Sequence, residues 1–450
     1  MVEHVLTGFG FGPIQAGLFV SEAFCSGNFK RIVVAEIDQA LVDAVKSNNG
    51  SYFVNIAQAD GIEVTRIDNI ELLNPHIDND RKVLLGALAR STEIVTSLPS
   101  VSFYTSGGVD SVVALIAQGL QSSPGPAAGA PQGTLIYTAE NNNRAAEILS
   151  QNVGKATVGS LQHPAQYLNT VIGKMSRAVT DAAEIAQLGL IPIAPGIERA
   201  ILVEEFNRIL VTRCELAAFQ PGIKVFIEKD DLLPFEEAKL YGHNAIHALL
   251  AYLGAAKGYR RMTTLKDDTG LMRIARQAFL NESGAAMINK YARRAPAADR
   301  AARLGSPGSC EGLGENLFTK TGFRNYAEDL LGRMTNQYLA DTTDRAGRNP
   351  MRKLAYKDRI FGTMALALAY GIEPVNMAMG AVAGLVRLLS TAESQALPKD
   401  LRFGDINKLS KNRIEKLLRW LWRGQMDKYA DKLIEHVQGA LPKYIAFVEQ

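Results

Sequence analysis

The run AKLYGHNAIH places an amine, a carboxamide and an imidazole within nine residues: Lys239, Asn244 and His247. A lysine amine works as a general base once burial or neighbouring cations depress its pKa. Asn and His can donate hydrogen bonds to an alkoxide or carbonyl oxygen and hold it in place. An alcohol bound beside this set would lose its hydroxyl proton, leaving its carbon ready to release a hydride. The run reads as the start of a helix, where Asn244 and His247 share a face and Lys239 and His243 lie one turn apart on an adjacent face. The competing reading of the bare triplet is structural, since a lone helical His is usually a packing residue and Lys is usually solvated.

A hydride needs an acceptor, and the N-terminus offers a place for one. Gly8-Phe9-Gly10-Phe11-Gly12-Pro13, followed by Ile14, joins the strand-like HVLTGFG to the helix-like LFVSEAF. Glycines there let the backbone turn tightly and approach a diphosphate, which meets free N–H groups at the helix start. Pro13 suits a first helical turn, where its missing N–H costs little. The string departs from strict GxGxxG because its sixth position is proline. Glu36 ends the second strand-like run, RIVVAEI, where a carboxylate accepts from adenosine ribose hydroxyls and repels a 2′-phosphate. The expected cofactor is NAD rather than NADP. The alternatives are an ordinary tight turn and a solvated strand end.

Arg345, Arg348, Arg352 and Lys353 gather in TTDRAGRNPMRKL, with Arg359 shortly after. So many cations beside Gly347 and Pro350 predict a non-helical turn, either gripping an anionic or polyhydroxyl substrate or simply solvated. No metal is expected. Of the six histidines only His243 and His247 have helical ligand spacing, and the acidic partner of HExxH is missing. No GxSxG elbow supports a serine nucleophile.

The elements that must position these groups fall into two patterns. Residues 4 to about 195 alternate strand-like runs (HVLTGFG, RIVVAEI, the shorter pair YFVNIA and IEVTRI, EIVTSL, TLIYTAEN) with helical stretches such as VVALIAQGL. That alternation predicts a parallel sheet with helices on both faces. From about 200 the period becomes helical in VEEFNRILV, HNAIHALLAYLG, LMRIARQAFL, YAEDLLGRM, DRIFGTMALALAYG and RIEKLLRWLWRGQ. The expected fold class is α/β plus all-α: a Rossmann-like doubly wound domain over 1–198 and a helical substrate and catalytic domain over 199–450. SPGPAAGAPQG from Ser123 and the Gly/Ala/Pro-rich stretch near 292–316 read as exposed excursions. A length of 450 residues suits two domains, and 47% hydrophobic with 21% charged residues is a soluble globular mix. A net charge of +3 gives no argument for nucleic acid or a membrane surface. Cys25, Cys214 and Cys310 are scattered without CxxC spacing and read as reduced thiols in a cytoplasmic protein with no signal peptide and no membrane span.

Taken in order, these pieces resemble the polyol-specific long-chain dehydrogenases, the group of mannitol dehydrogenase and mannitol-1-phosphate 5-dehydrogenase, over nearly the whole chain. GFGFGPIQAG is similar to the family's glycine motif, and DDLLPFEEAKLYGHNAIH to its K-x4-N-x2-H signature. DRAGRNPMRKLAYKDRI resembles the R-x-G-R-x-P-x-R-K-L run of the mannitol-1-phosphate branch. SLPSV, with Ser97 and Leu98, resembles the segment under the nicotinamide, and Glu140-Asn141 the Glu-Asn pair after a strand. The resemblance implies Lys239 as general base, with Asn141, Asn244 and His247 holding the reacting oxygen. It implies substrate contacts from Arg345 and Lys353 in the cluster that also holds Arg348, and a monomer or homodimer acting on a sugar alcohol or its phosphate. Ile14 stands where the family often has Arg, and Gly173 where a V-D-R-I segment has Asp. Those departures keep two alternatives open: a dehydrogenase for another hydroxy acid or phosphorylated alcohol, and an inactive dinucleotide-binding regulatory homologue.

Overall fold

The computed structural model describes residues 4–124, 133–161, 163–206, 209–291, 317–402 and 409–449. The chain divides into two compact units, Met1–Leu233 and Pro234–Gln450. Strands in the first unit are β1 (His4–Phe9), β2 (Phe29–Ala35), β3 (Tyr52–Ala57), β4 (Ile62–Ile67), β5 (Ile70–Leu73), β6 (Glu93–Thr96), β7 (Thr134–Thr138), β8 (Ala165–Ile172), β9 (Ser176–Val179), β10 (Ala200–Glu204), β11 (Ile209–Thr212) and β12 (Phe226–Lys229).

The larger sheet runs β5-β2-β1-β6-β7-β8-β11-β12. From β5 to β8 every pairing is parallel; β11 then runs antiparallel to β8. With the β3–β4 hairpin set aside, the parallel block follows the 3-2-1-4-5-6 order of a doubly wound dinucleotide fold. β1 and β7 are buried along their whole length, as strands covered on both faces must be. Alternation sends Leu6, Ile32, Val34, Val95, Leu135 and Tyr137 to one face, where they pack with Ala16, Leu18 and Phe19 of the first helical segment. Phe9, Val33, Ile94 and Ile136 point the other way, against the helices Asp78–Leu88, Val112–Gln121 and Ala145–Ala156. A second sheet, β4-β3-β10-β9, lies against that first helical segment; a Cβ added to Gly17 would sit 2.5 Å from Val203 Cγ1.

VEEFNRILV is not the helix its spacing predicts. Val203 and Glu204 end β10, and Ile209–Val211 belong to β11. Buried strands such as ILVE and the ILV of β11 lack the polar alternation that separates strand from helix. They carry the first unit past the break expected at 198/199, to Leu233.

The second unit is helical. Val375–Leu389 packs against Ala245–Ala256 and Ala430–Val448. Gly380 and Gly384 permit the first approach: Cβ atoms there would come within 3.0 Å of Leu249 and 3.1 Å of Tyr252. This seat fixes the helix that carries His247. Trp422 is fully buried, with its ring centroid 4.5 Å from Phe361 and 5.1 Å from Tyr356, and its Nε1 donates to the Leu354 carbonyl at 3.0 Å. Trp422→Ala is expected to destabilise the second unit by about 3–5 kcal/mol, read by urea unfolding.

Most of the 123–133 loop, the 292–316 stretch and Cys310 lie outside the described residues; Cys25 and Cys214 are free thiols. Among the described residues no helix is long and apolar enough to cross a membrane.

Candidate active site

In the first unit, the expected nucleotide groups and the expected catalytic Asn141 lie at or just beyond the C-terminal ends of parallel strands: Gly8 near the end of β1 with the rest of the glycine turn after it, Glu36 after β2, Ser97 and Leu98 after β6, Glu140 and Asn141 after β7. That is where ligands bind in open α/β sheets. Gly10 has φ +78, and a Cβ there would lie 2.8 Å from the Ser97 carbonyl oxygen, so only glycine fits. Gly8 lies against Gln15, whose Nε2 would be 2.1 Å from an added Cβ. A Cβ on Gly12 would meet nothing within 4 Å. The helical segment opens at Pro13, and the amides of its first turn have no intrahelical acceptor. Close-approach glycines and free helix-start amides suit a diphosphate.

Glu36 does more than the sequence indicates. Its Oε2 accepts from Phe11 N at 2.8 Å, and its Oε1 from Ile37 N at 2.7 Å and Asp38 N at 2.9 Å. The carboxylate therefore ties the glycine turn to the end of β2. A carboxylate has about four acceptor positions, so three amides leave one for a ribose hydroxyl.

Glu140 is buried and faces inward. It accepts from Thr96 Oγ1 at 2.9 Å, from Leu98 N at 2.8 Å and from the Tyr104 hydroxyl. Burial pushes its carboxyl up, against the pull of those donors. Its visible work is to hold the Ser97–Leu98 segment. Asn141, the next residue, is exposed.

In the second unit, Lys239 and Asn244 belong to a π-helical turn, Ala238–Asn244, which runs into the helix Ala245–Ala256 carrying His247. The wider turn frees the Tyr241 carbonyl from the regular ladder, and the hydroxyls of Ser283 (2.8 Å) and Thr363 (3.0 Å) donate to it. A second π-helical turn, Ala278–Gly284, supplies that serine.

Lys239 is partly buried, and among the described residues its amine has no hydrogen-bond or ion-pair partner. Burial, then the Arg359 guanidinium, push its pKa down to about 8, with Glu236 opposing. Burial and four surrounding cationic or imidazole groups, Arg333 first among them, hold His243 well below its usual range.

Asp341, which the sequence reading missed, joins two of the expected site residues. Its Oδ2 lies 3.1 Å from His247 Nε2, and Arg345 donates to it through Nε (2.6 Å) and an Nη (2.7 Å). Burial pushes the Asp341 carboxyl up, but the hydrogen bonds and charges of His247 and Arg345 outweigh it and hold the group well below the usual carboxylate range. The available signal was local, an Asp one turn before Arg345.

The cationic segment is not wholly non-helical. Single helical turns, Thr343–Ala346 and Pro350–Lys353, flank a bend where Asn349 has φ +57. Pro350 begins the second turn and the left-handed Asn349 sets its direction. Lys353 Nζ donates to the Ala346 carbonyl at 2.5 Å; burial and then Arg359 push its pKa down to about 7. Arg359 pairs with Asp358 at 2.8 Å. Arg348 is exposed, with no side-chain partner among the described residues. Nor do three or more His, Cys, Asp or Glu side chains among those residues gather as a metal would need.

Residues 313–441 match the family model described as the mannitol dehydrogenase C-terminal domain. The mannitol-1-phosphate 5-dehydrogenase of Buchnera aphidicola subsp. Acyrthosiphon pisum (strain Tuc7) is 25% identical over 379 residues, spanning 83% of this chain and 84% of that protein. Two solved structures share the fold. Pseudomonas fluorescens mannitol 2-dehydrogenase, in a ternary complex with NAD and D-mannitol, has a TM-score of 0.65 at 15% identity, covering 100% of this chain and 94% of the other. A substrate-free D-sorbitol dehydrogenase has a TM-score of 0.70 at 14% identity, covering 99% and 95%.

Proposed function

We propose that the chain is a polyol-specific dehydrogenase of the mannitol dehydrogenase kind, a reading supported by the match over residues 313–441 and by the 25% identity to a mannitol-1-phosphate 5-dehydrogenase, and that it oxidises a sugar alcohol, phosphorylated in the preferred substrate, with NAD. The observation that carries the reading is the Lys239 amine, without a hydrogen-bond or ion-pair partner among the described residues and with its pKa pushed down to about 8, on the same helical segment as Asn244 and His247. Lys239 takes the hydroxyl proton. Asn244 donates to the oxygen as it gains charge, and His247 orients the polyol. Arg345 and Lys353 contact substrate hydroxyls, and the exposed Arg348 suits a phosphate. Gly8, Gly10, Phe11, Gly12, Pro13 and Ile14 form the diphosphate seat, Glu36 takes the adenosine ribose, and Glu140 holds Ser97 and Leu98 in place beneath the nicotinamide. Bound NAD supplies the hydride acceptor.

The test is NADH absorbance on a panel of sugar alcohols, their phosphates and 2- or 3-hydroxy acids. Turnover is expected on a hexitol phosphate, with weaker activity on the free hexitol. Activity confined to hydroxy acids would replace this reading with that of a hydroxy-acid dehydrogenase. Tight NADH binding without turnover on any alcohol would leave a regulatory homologue.

A further inference from the structure

His247 is assigned to hold an oxygen, but which of its nitrogens faces the ligand, and whether it gives or takes a hydrogen, follows from its neighbour. Asp341 is 4% exposed and gripped by two Arg345 N–H groups, while its Oδ1 also accepts from Thr342 N at 2.7 Å. A carboxylate in that setting carries no proton and can only accept. The 3.1 Å contact with His247 Nε2 must therefore be bridged by a hydrogen on the imidazole. A neutral imidazole has one N–H; once Nε2 carries it, Nδ1 is left with a bare lone pair.

We infer that Asp341 is a positioning residue which locks neutral His247 as the Nε2–H tautomer, so that Nδ1 accepts a hydrogen bond from a substrate hydroxyl. This rests on the dehydrogenase reading above and refines it. An oxygen losing its proton needs donors, and Asn244 and the protonated Lys239 provide them. An acceptor instead suits a hydroxyl that keeps its proton throughout, such as the one beside the reacting carbon. The pair would thus select a vicinal diol, a feature of every sugar alcohol, over an isolated secondary alcohol. Arg345 acts in part through Asp341, with its outer N–H groups left for substrate.

Nitrogen-15 NMR of histidine-labelled, substrate-free protein tests this directly, because protonated and bare ring nitrogens differ widely in shift and only six histidines contribute. His247→Asn identifies the signal. The expected result is a protonated Nε2 and a bare Nδ1. A protonated Nδ1, alone or with Nε2, overturns the inference, and this measurement on the unaltered chain needs no variant to fold. Asp341→Asn is then expected to mix the tautomers and to raise KM for the sugar alcohol by about 10- to 100-fold, with kcat changed far less. A fall in kcat at unchanged KM would place His247 on the reacting oxygen instead and overturn the assignment. If the unaltered chain turns over no alcohol, the dehydrogenase reading fails while the tautomer result stands.

Discussion

Lys239→Ala is expected to lower turnover of the alcohol by about 100- to 10,000-fold, the usual contribution of a positioned general base, with NADH affinity unchanged. Steady-state NADH formation and a fluorescence titration with NADH give the two numbers. Lys239→Arg should fare no better, because a guanidinium stays protonated. The amine is useful because its pKa is pushed down to about 8, by burial first and Arg359 second. Oxidation needs the neutral amine, so kcat/KM should fall about tenfold per pH unit below that value and level off above it. Reduction of the corresponding ketose needs the ammonium and should fall on the opposite side. Replacing Arg359 with Gln removes a repelling cation, so the acid limb should move to higher pH. A Lys239→Ala protein with undiminished turnover would remove this residue from the chemistry.

Much of the frame behind that experiment could be read from the chain. β1, the glycine turn, Glu36 and the helices of the second unit each carry local signals: a buried run, a turn that needs glycine, a period of 3.6. Three features could not be read, for separate reasons. VEEFNRILV carries apolar residues at a spacing a helix would also use, and nothing local says that two buried strands share it. The π-helical turn at Lys239 depends on hydroxyls from two other helices, Ser283 and Thr363, which satisfy the carbonyl it frees. Propensity along AKLYGHN does not encode those partners.

Asp341 illustrates the third case. Its bond to Arg345 is four residues long, but its bond to His247 spans 94. Partners within the fold are a further thing that residue type leaves open. The sequence suggests a ribose contact for Glu36, yet Glu36 and Glu140 both place much of their acceptor capacity on backbone amides and hydroxyls of their own unit. Arg345, which the family resemblance makes a substrate contact, is also half of an ion pair. Residue type predicts that such a group is polar and near the site; the partner it satisfies first is decided by the packing around it.

Gly10→Ala is expected to weaken NADH binding by about 100-fold and to cost about 1–3 kcal/mol of stability, read by fluorescence titration and urea unfolding of the same preparation. The backbone at φ +78 is one that a side chain strains. The added Cβ would also lie 2.8 Å from the Ser97 carbonyl oxygen, closer than such atoms approach. Neither side yields easily. Gly10 N is bonded to the Ala35 carbonyl at 2.9 Å, Ser97 N to the Phe9 carbonyl at 3.0 Å, and Leu98 N to Glu140 at 2.8 Å. Relief must come from the turn itself, which would pull Phe11 N from Glu36 and tilt the helix-start amides. Gly12→Ala separates fold from ligand. Its Cβ would touch nothing within 4 Å, so stability should hold. Affinity for NADH should still fall if a diphosphate passes against that Cα. Wild-type affinity in Gly12→Ala would mean that the second half of the turn is not reserved for a diphosphate, and that the cofactor lies elsewhere along the strand ends.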